Sequence, residues 1–232
     1  MLAFTLLVAA AAIQTAAELG RATERYEPAG RAFDITVRIT QPPYRKHGSF
    51  YAEDRTGAIE LNTFPNDWTK VRTGDVYHFA GCTSNLVNRI GIVHADCHSA
   101  EFLRHEPAPL TQTVSANDFL SGKCLFRRVT LDGVMRNVLR DEIDPNYVYF
   151  ILECGDERVF AVLATNEDVG TLSGRFLNAH VTMTGCCTRD ADSRAYCDLF
   201  CGPPRQVSRP TTPDAPVSMR TRMPSGSRST DS

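Results

Sequence analysis

The chain has no surplus of either charge. It carries 25 Lys and Arg against 27 Asp and Glu, a formal net of −2. Beyond its first dozen residues it has no apolar run long enough to suggest a membrane-spanning helix. It contains no G-x-S-x-G elbow, no P-loop and no dinucleotide fingerprint. The sequence grounds for a serine hydrolase, a P-loop NTPase or a Rossmann oxidoreductase are therefore missing. The cysteines lack paired C-x2–4-C knuckles, and the spacing of Cys186, Cys187, Cys197 and Cys201 makes a poor zinc set. His94, Asp96 and His98 alternate as residues on one strand face would, but read most simply as a solvated edge. Asp141, Glu142 and Asp144 run into Pro145 without the dozen-residue ligand pattern of a calcium loop. We expect no enzyme, no cofactor and no metal.

What charge there is lies unevenly. Residues 203–232 hold five arginines against two aspartates, a net of +3, which leaves −5 on the remainder. A mildly acidic folded part is a poor match for a phosphate backbone, so nucleic acid is not expected as a partner. The first 12 residues are apolar and uncharged, too short to span a bilayer but suited to an export signal. Small residues at Thr15 and Ala17 suggest cleavage after Ala17, giving a signal segment 1–17 and a periplasmic or secreted protein. Eight cysteines agree, since disulfides persist in oxidising compartments.

The most informative pattern is an internal repeat. Cys82 and Cys97 are 15 positions apart, as are Cys186 and Cys201. Each pair opens on Gly-Cys, and a shift of 104 maps one onto the other. Facing residues on antiparallel strands lie about 4.5–5.5 Å apart, within disulfide range. One crosslink per copy is thus expected, Cys82–Cys97 and Cys186–Cys201, each contributing roughly 3 kcal/mol. The pairing of Cys124, Cys154, Cys187 and Cys197 stays open among three connectivities.

The rest of the chain follows the same order twice. Copy one reads as a helical lead at 17–26, a strand at 33–40, a hairpin at 49–61 and strands at 76–82 and 90–95. Copy two has a lead at 115–119 with Ser115 as N-cap, a strand at 129–135, a hairpin at 147–163 and strands at 179–185 and 195–200. Five short strands per copy point to an all-β chain of two tandem OB-like five-stranded barrels, each with a short helical lead. Gly133 suits the bulge such a barrel needs, and copy one has no glycine there. The expected modules are 18–103 and 114–202, joined by a Pro-containing linker. The tail 203–232 holds six prolines and is expected to be disordered.

Phe50 to Gly57, with its Asp54, Thr56 and Gly57 turn, and the Gly74-Asp75…Gly81 strand resemble bacterial OB-fold modules. In particular they resemble the tandem extracytoplasmic input regions of sensor histidine kinases. Copy two departs at the turn, where Cys154-Gly155-Asp156-Glu157 stands. The resemblance implies a ligand- or partner-sensing module without a transmitter domain. Its partners would be an unknown small ligand or protein, a membrane sensor protein among them. The alternative is an exported OB protein binding single-stranded nucleic acid or oligosaccharide. Such barrels bind on the face of strands 2 and 3, where rings stack on ligands. On that ground Tyr51, Trp68, Tyr147 and Tyr149 are the candidate ligand-binding residues.

Overall fold

The computed structural model describes residues 11–23, 27–45, 48–85, 93–189, 197–201 and 204–207, with the side chains of 189 and 197–201 left aside. The first ten residues of the expected signal and most of the expected tail lie outside these.

The first module begins with α1 (Ala16–Ala22), β1 (Ala32–Gln41), β2 (Phe50–Glu53) and β3 (Ala58–Leu61), followed by β4 (Asp75–Asn85) and β5 (Val93–His105). Alternation makes β1 a half-buried strand: Phe33, Ile35, Val37 and Ile39 face the core, while Asp34 and Arg38 face outward. The sheet order is β3-β2-β1-β4-β5. A parallel bridge between Asn62 and Asp96 brings the chain after β3 against β5 and closes the ring. Phe50, Phe64, Tyr77 and Phe79 fill it with centroids 5.2–5.7 Å apart, several of them edge to face.

The second module repeats this circuit. Its elements are β6 (Gln112–Thr113), α2 (Ala116–Leu120), β7 (Arg128–Arg140), β8 (Tyr147–Cys154), β9 (Glu157–Ala164), α3 (Val169–Phe176), β10 (His180–Arg189), β11 (Cys197–Cys201) and β12 (Arg205–Gln206). β7 pairs with both β8 and β10, β8 pairs with β9, and β9 lies parallel to β11. Five strands in OB-like order recur in both modules, as the repeat predicts, but the second sheet has seven, because β6 adds beside β7 and β12 beside β10. Ser115 is the N-cap expected, its hydroxyl accepting from Asp118 N at 3.1 Å. The sequence reading omitted α3, whose buried face is only Leu172 and Phe176.

The turn motif of copy one has a local cause. The Asp54 carboxylate accepts from Ala16 N at 2.9 Å, and the Thr56 hydroxyl accepts from Ala17 N at 3.1 Å. Together they cap α1 from the β2–β3 hairpin. Burial works against the Asp54 charge, but the donors Ala16, Thr56 and Gly57 outweigh it and hold the carboxyl below its ordinary range. Both helices also carry their own N-cap, Thr15 in α1 and Ser115 in α2.

Four boundary expectations change. The cleavage point at Ala17 falls inside α1, while Ile13 bridges Phe33 and is 4% exposed. The folded module therefore begins before residue 18. The expected linker starts as the end of β5 and finishes as β6, which lies parallel to β7. The expected tail begins as a strand, because Arg205 pairs with Thr182 and Gln206 with Val181 on β10. The bulge expected at Gly133 falls instead between Met135 and Asn137, and β1 has its counterpart between Ile39 and Gln41. Both copies thus share the feature without a glycine to mark it.

A chain beginning at Glu18 should be about 2–4 kcal/mol less stable than one beginning at Ala11. It loses a fully buried Ile and the Thr15 cap of α1. Urea unfolding of both should show this; equal midpoints would place residues 11–17 outside the folded module.

Candidate functional site

The two modules meet where the loop after β1 touches the loop after β7. The Tyr44 and Tyr147 rings meet edge to face at 5.2 Å and 73°. The Arg45 guanidinium lies 5.4 Å over the Tyr44 ring and 3.3 Å from the Asp144 carboxylate. Tyr44, Arg45, Ser49, Tyr51 and Tyr147 enclose a cavity of about 160 Å³. Alongside it further contacts join the modules. Tyr51 stacks on Phe126 at 6.3 Å, the Thr40 hydroxyl lies 3.6 Å from the Cys186 thiol, and the Arg128 guanidinium donates to Thr40 O at 3.4 Å. The modules are thus joined by side-chain contacts as well as by the chain between them.

The four predicted ligand residues separate. Tyr51 and Tyr147 line this cavity, but Tyr51 is 4% exposed and serves mainly to seal the modules. Tyr149 is half-buried on the same face of β8 as Tyr147. Trp68 sits in a 3-10 turn packed against the first core and does not join them. Tyr44 and Arg45 were missed. They directly follow Pro42-Pro43, which ends β1.

The expected crosslinks are not formed. In β4–β5 the register sets Gly81 opposite Cys97 and Cys82 opposite Asp96, so the two thiols lie on opposite faces. Cys82 turns out toward His98, 3.6 Å away, while Cys97 is buried. In β10–β11 the same offset sets Gly185 opposite Cys201 and Cys186 opposite Phe200. Cys186 is a free, buried thiol against Thr40. The Cys201 side chain lies outside the described residues. In the first copy the Gly-Cys step marks crowding instead. A Cβ on Gly81 would collide with the Asp96 carbonyl and the Phe33 ring, at a register shift. His94, Asp96 and His98 do share a face, but they turn to Asn62, Ser84 and Cys82 respectively. Among the described residues no three metal-ligating side chains converge.

Burial pushes the Cys97 thiol far up, with Asp96 adding to it, and pushes Cys186 up to about 12 and Cys154 up to about 11. At pH 8 a thiol reagent should modify Cys82 first, with Cys97 and Cys186 reacting only on unfolding. Peptide mapping should find Cys82 alkylated; a Cys82–Cys97 disulfide in the native protein would contradict the register.

Glu60, opposite Tyr51 across the β2–β3 ladder, has its carboxyl raised by burial, with a Ser49 hydrogen bond opposing. The carboxyl therefore binds its proton more tightly in the folded chain than in the unfolded one. Its contribution is complete below about pH 4.5 and is lost as pH rises through the folded value. Glu60→Gln should raise the urea midpoint at pH 7 and leave it unchanged below pH 4.5. A loss at pH 7 would mean that the ionised carboxylate stabilises the junction.

No family model matches the chain, and no curated protein is similar to it. Similar solved structures include a lipoprotein of Klebsiella pneumoniae described as nucleic-acid-binding, at 17% identity over 42% of this chain and 92% of that one, with a TM-score of 0.31. A murine DNA-binding protein bound to double-stranded DNA matches at 10% identity over 78% and 99%, TM-score 0.38. A replication protein A heterotrimer bound to single-stranded DNA matches at 14% over 72% of this chain and 49% of that one, TM-score 0.33. At these values the strand pairing of the chain itself carries the fold assignment. The expectation that nucleic acid is not a partner is nevertheless corrected. That expectation rested on net charge, which averages over the whole molecule and says nothing of the junction, where the Arg45 and Arg128 guanidinium groups both lie.

Proposed function

We propose that the chain is a non-enzymatic tandem OB-type module that binds single-stranded nucleic acid across the junction of its two β1–β2-type loops. One observation supports this most: Tyr44, Tyr147 and Arg45 converge from both modules on one cavity. Rings offer bases a stacking surface whatever the sequence, and a guanidinium offers the backbone a charge-assisted donor. An oligosaccharide would use the rings but not the cation. Export is motivated by the apolar, uncharged run at 1–12.

The test is fluorescence anisotropy with a labelled oligothymidine of about 10 nucleotides, within the roughly 4–16 that one OB fold covers. Tyr147→Ala should weaken binding by about 1–3 kcal/mol, with Tyr147→Phe near wild type. Arg45→Ala should lower the slope of log K against log salt by about 0.7. Asp144→Asn should strengthen binding, because it releases Arg45 from its ion pair. No anisotropy change with the intact chain at low salt, or equal affinity in all variants, would overturn the reading.

A further inference from the structure

A second cavity, of about 290 Å³, shares no lining residue with the first. It lies where β5 ends against the start of β4 and is lined by Lys70, Arg72, Asp75, Tyr77, Phe102 and His105. The sequence builds it through Thr73-Gly74-Asp75. Gly74 has φ +98°, and a Cβ there would collide with the Glu106 carbonyl, so only glycine lets the end of β5 come this close. Asp75 is 5% exposed and both of its oxygens are used. One accepts from Arg72 N at 2.8 Å, the other from His105 Nδ1 at 2.7 Å. That bond fixes the imidazole and leaves its Nε2 as the other polar edge of the ring.

The remaining groups form a set that the fold does not require. Arg72 is exposed, and its guanidinium makes no ion pair among the described residues. Lys70 is held only by an exposed pair with Asp67 at 3.1 Å, the kind that contributes little. Phe102 is 53% exposed, one side of its ring edge-on to Tyr77 at 5.5 Å. Phe102 thus presents half of its ring to solvent beside the unpaired Arg72, the weakly paired Lys70 and an imidazole. The volume lies just below the roughly 300–1,000 Å³ of drug-sized ligand sites.

We propose that this cavity binds one phosphorylated nucleotide unit, with the base against Phe102 and the phosphate on Arg72, Lys70 and His105. The chemistry is a planar ring joined to a dianion, which a sugar or a bare carboxylate does not supply. The site stands apart from the junction and does not require a strand to bind there.

Titration of the intact chain followed by NMR, with adenosine 5′-monophosphate, adenosine and inorganic phosphate as probes, tests it. The monophosphate should bind saturably and at least about tenfold more tightly than adenosine or phosphate alone. Phe102→Ala and Arg72→Ala should each weaken it about tenfold, and Arg72→Ala should leave adenosine unaffected. Absence of saturable binding, equal affinity for adenosine, or indifference to both substitutions overturns the proposal. Displacement of the monophosphate by a 5′-phosphorylated oligonucleotide but not by its unphosphorylated form would identify strand ends as the source. Displacement by free nucleotides alone would identify the soluble pool. Arg45→Ala should not change monophosphate binding, so failure at the junction and failure here are told apart.

Discussion

Each barrel depends on one strand that belongs to two halves of the ring. β1 pairs along one end with β4 and along the other with β2, and β7 does the same with β10 and β8. A regular strand cannot do this without straining the ladder. The register shifts at Ile39/Gln41 and Met135/Asn137 supply the extra twist and coil. Everything downstream inherits that bend. It aims the residues that follow, 42–45 and 141–146, toward each other, and it turns Thr40 into the neighbouring module against Cys186.

Function follows from where those bends send side chains. Tyr44 and Arg45 leave β1 just beyond its bulge, and Tyr147 enters β8 just after the equivalent loop. Two modules that place the same loop at one junction make a composite cavity that neither has alone. The second cavity is local to module one. It arises because β5 runs on to His105, past the ring it closes, and ties back to Asp75. Net charge is silent about both, because binding responds to the few groups within a Debye length and not to the sum over the molecule.

Elements set by short-range rules were legible. Alternation located β1, β2, β3 and β8, and a Ser followed by an acidic helix start located α2 and its cap. The repeat of Gly-Cys was seen correctly and explained wrongly. It reflects crowding at Gly81 and a matching register in both copies, while spacing alone suggested disulfides. A pairing of two cysteines depends on register, and a slip of one residue sends a side chain to the other face of the sheet. No count of intervening residues contains that information. The pair of prolines before Tyr44 was legible as a break, but not as the pointer to a site.

The sequence by itself determined that the chain is β-rich and built of one unit used twice, because period, turn residues and repeat length are properties of neighbours along the chain. Only the tertiary structure decided which residues meet: Tyr44 with Tyr147, Arg45 with Asp144, Cys186 with Thr40, and His105 with Asp75. These contacts join residues from 30 to 146 positions apart. They exist because bulges bend the strands and a glycine admits a close approach, and no local pattern records where a bent strand will point.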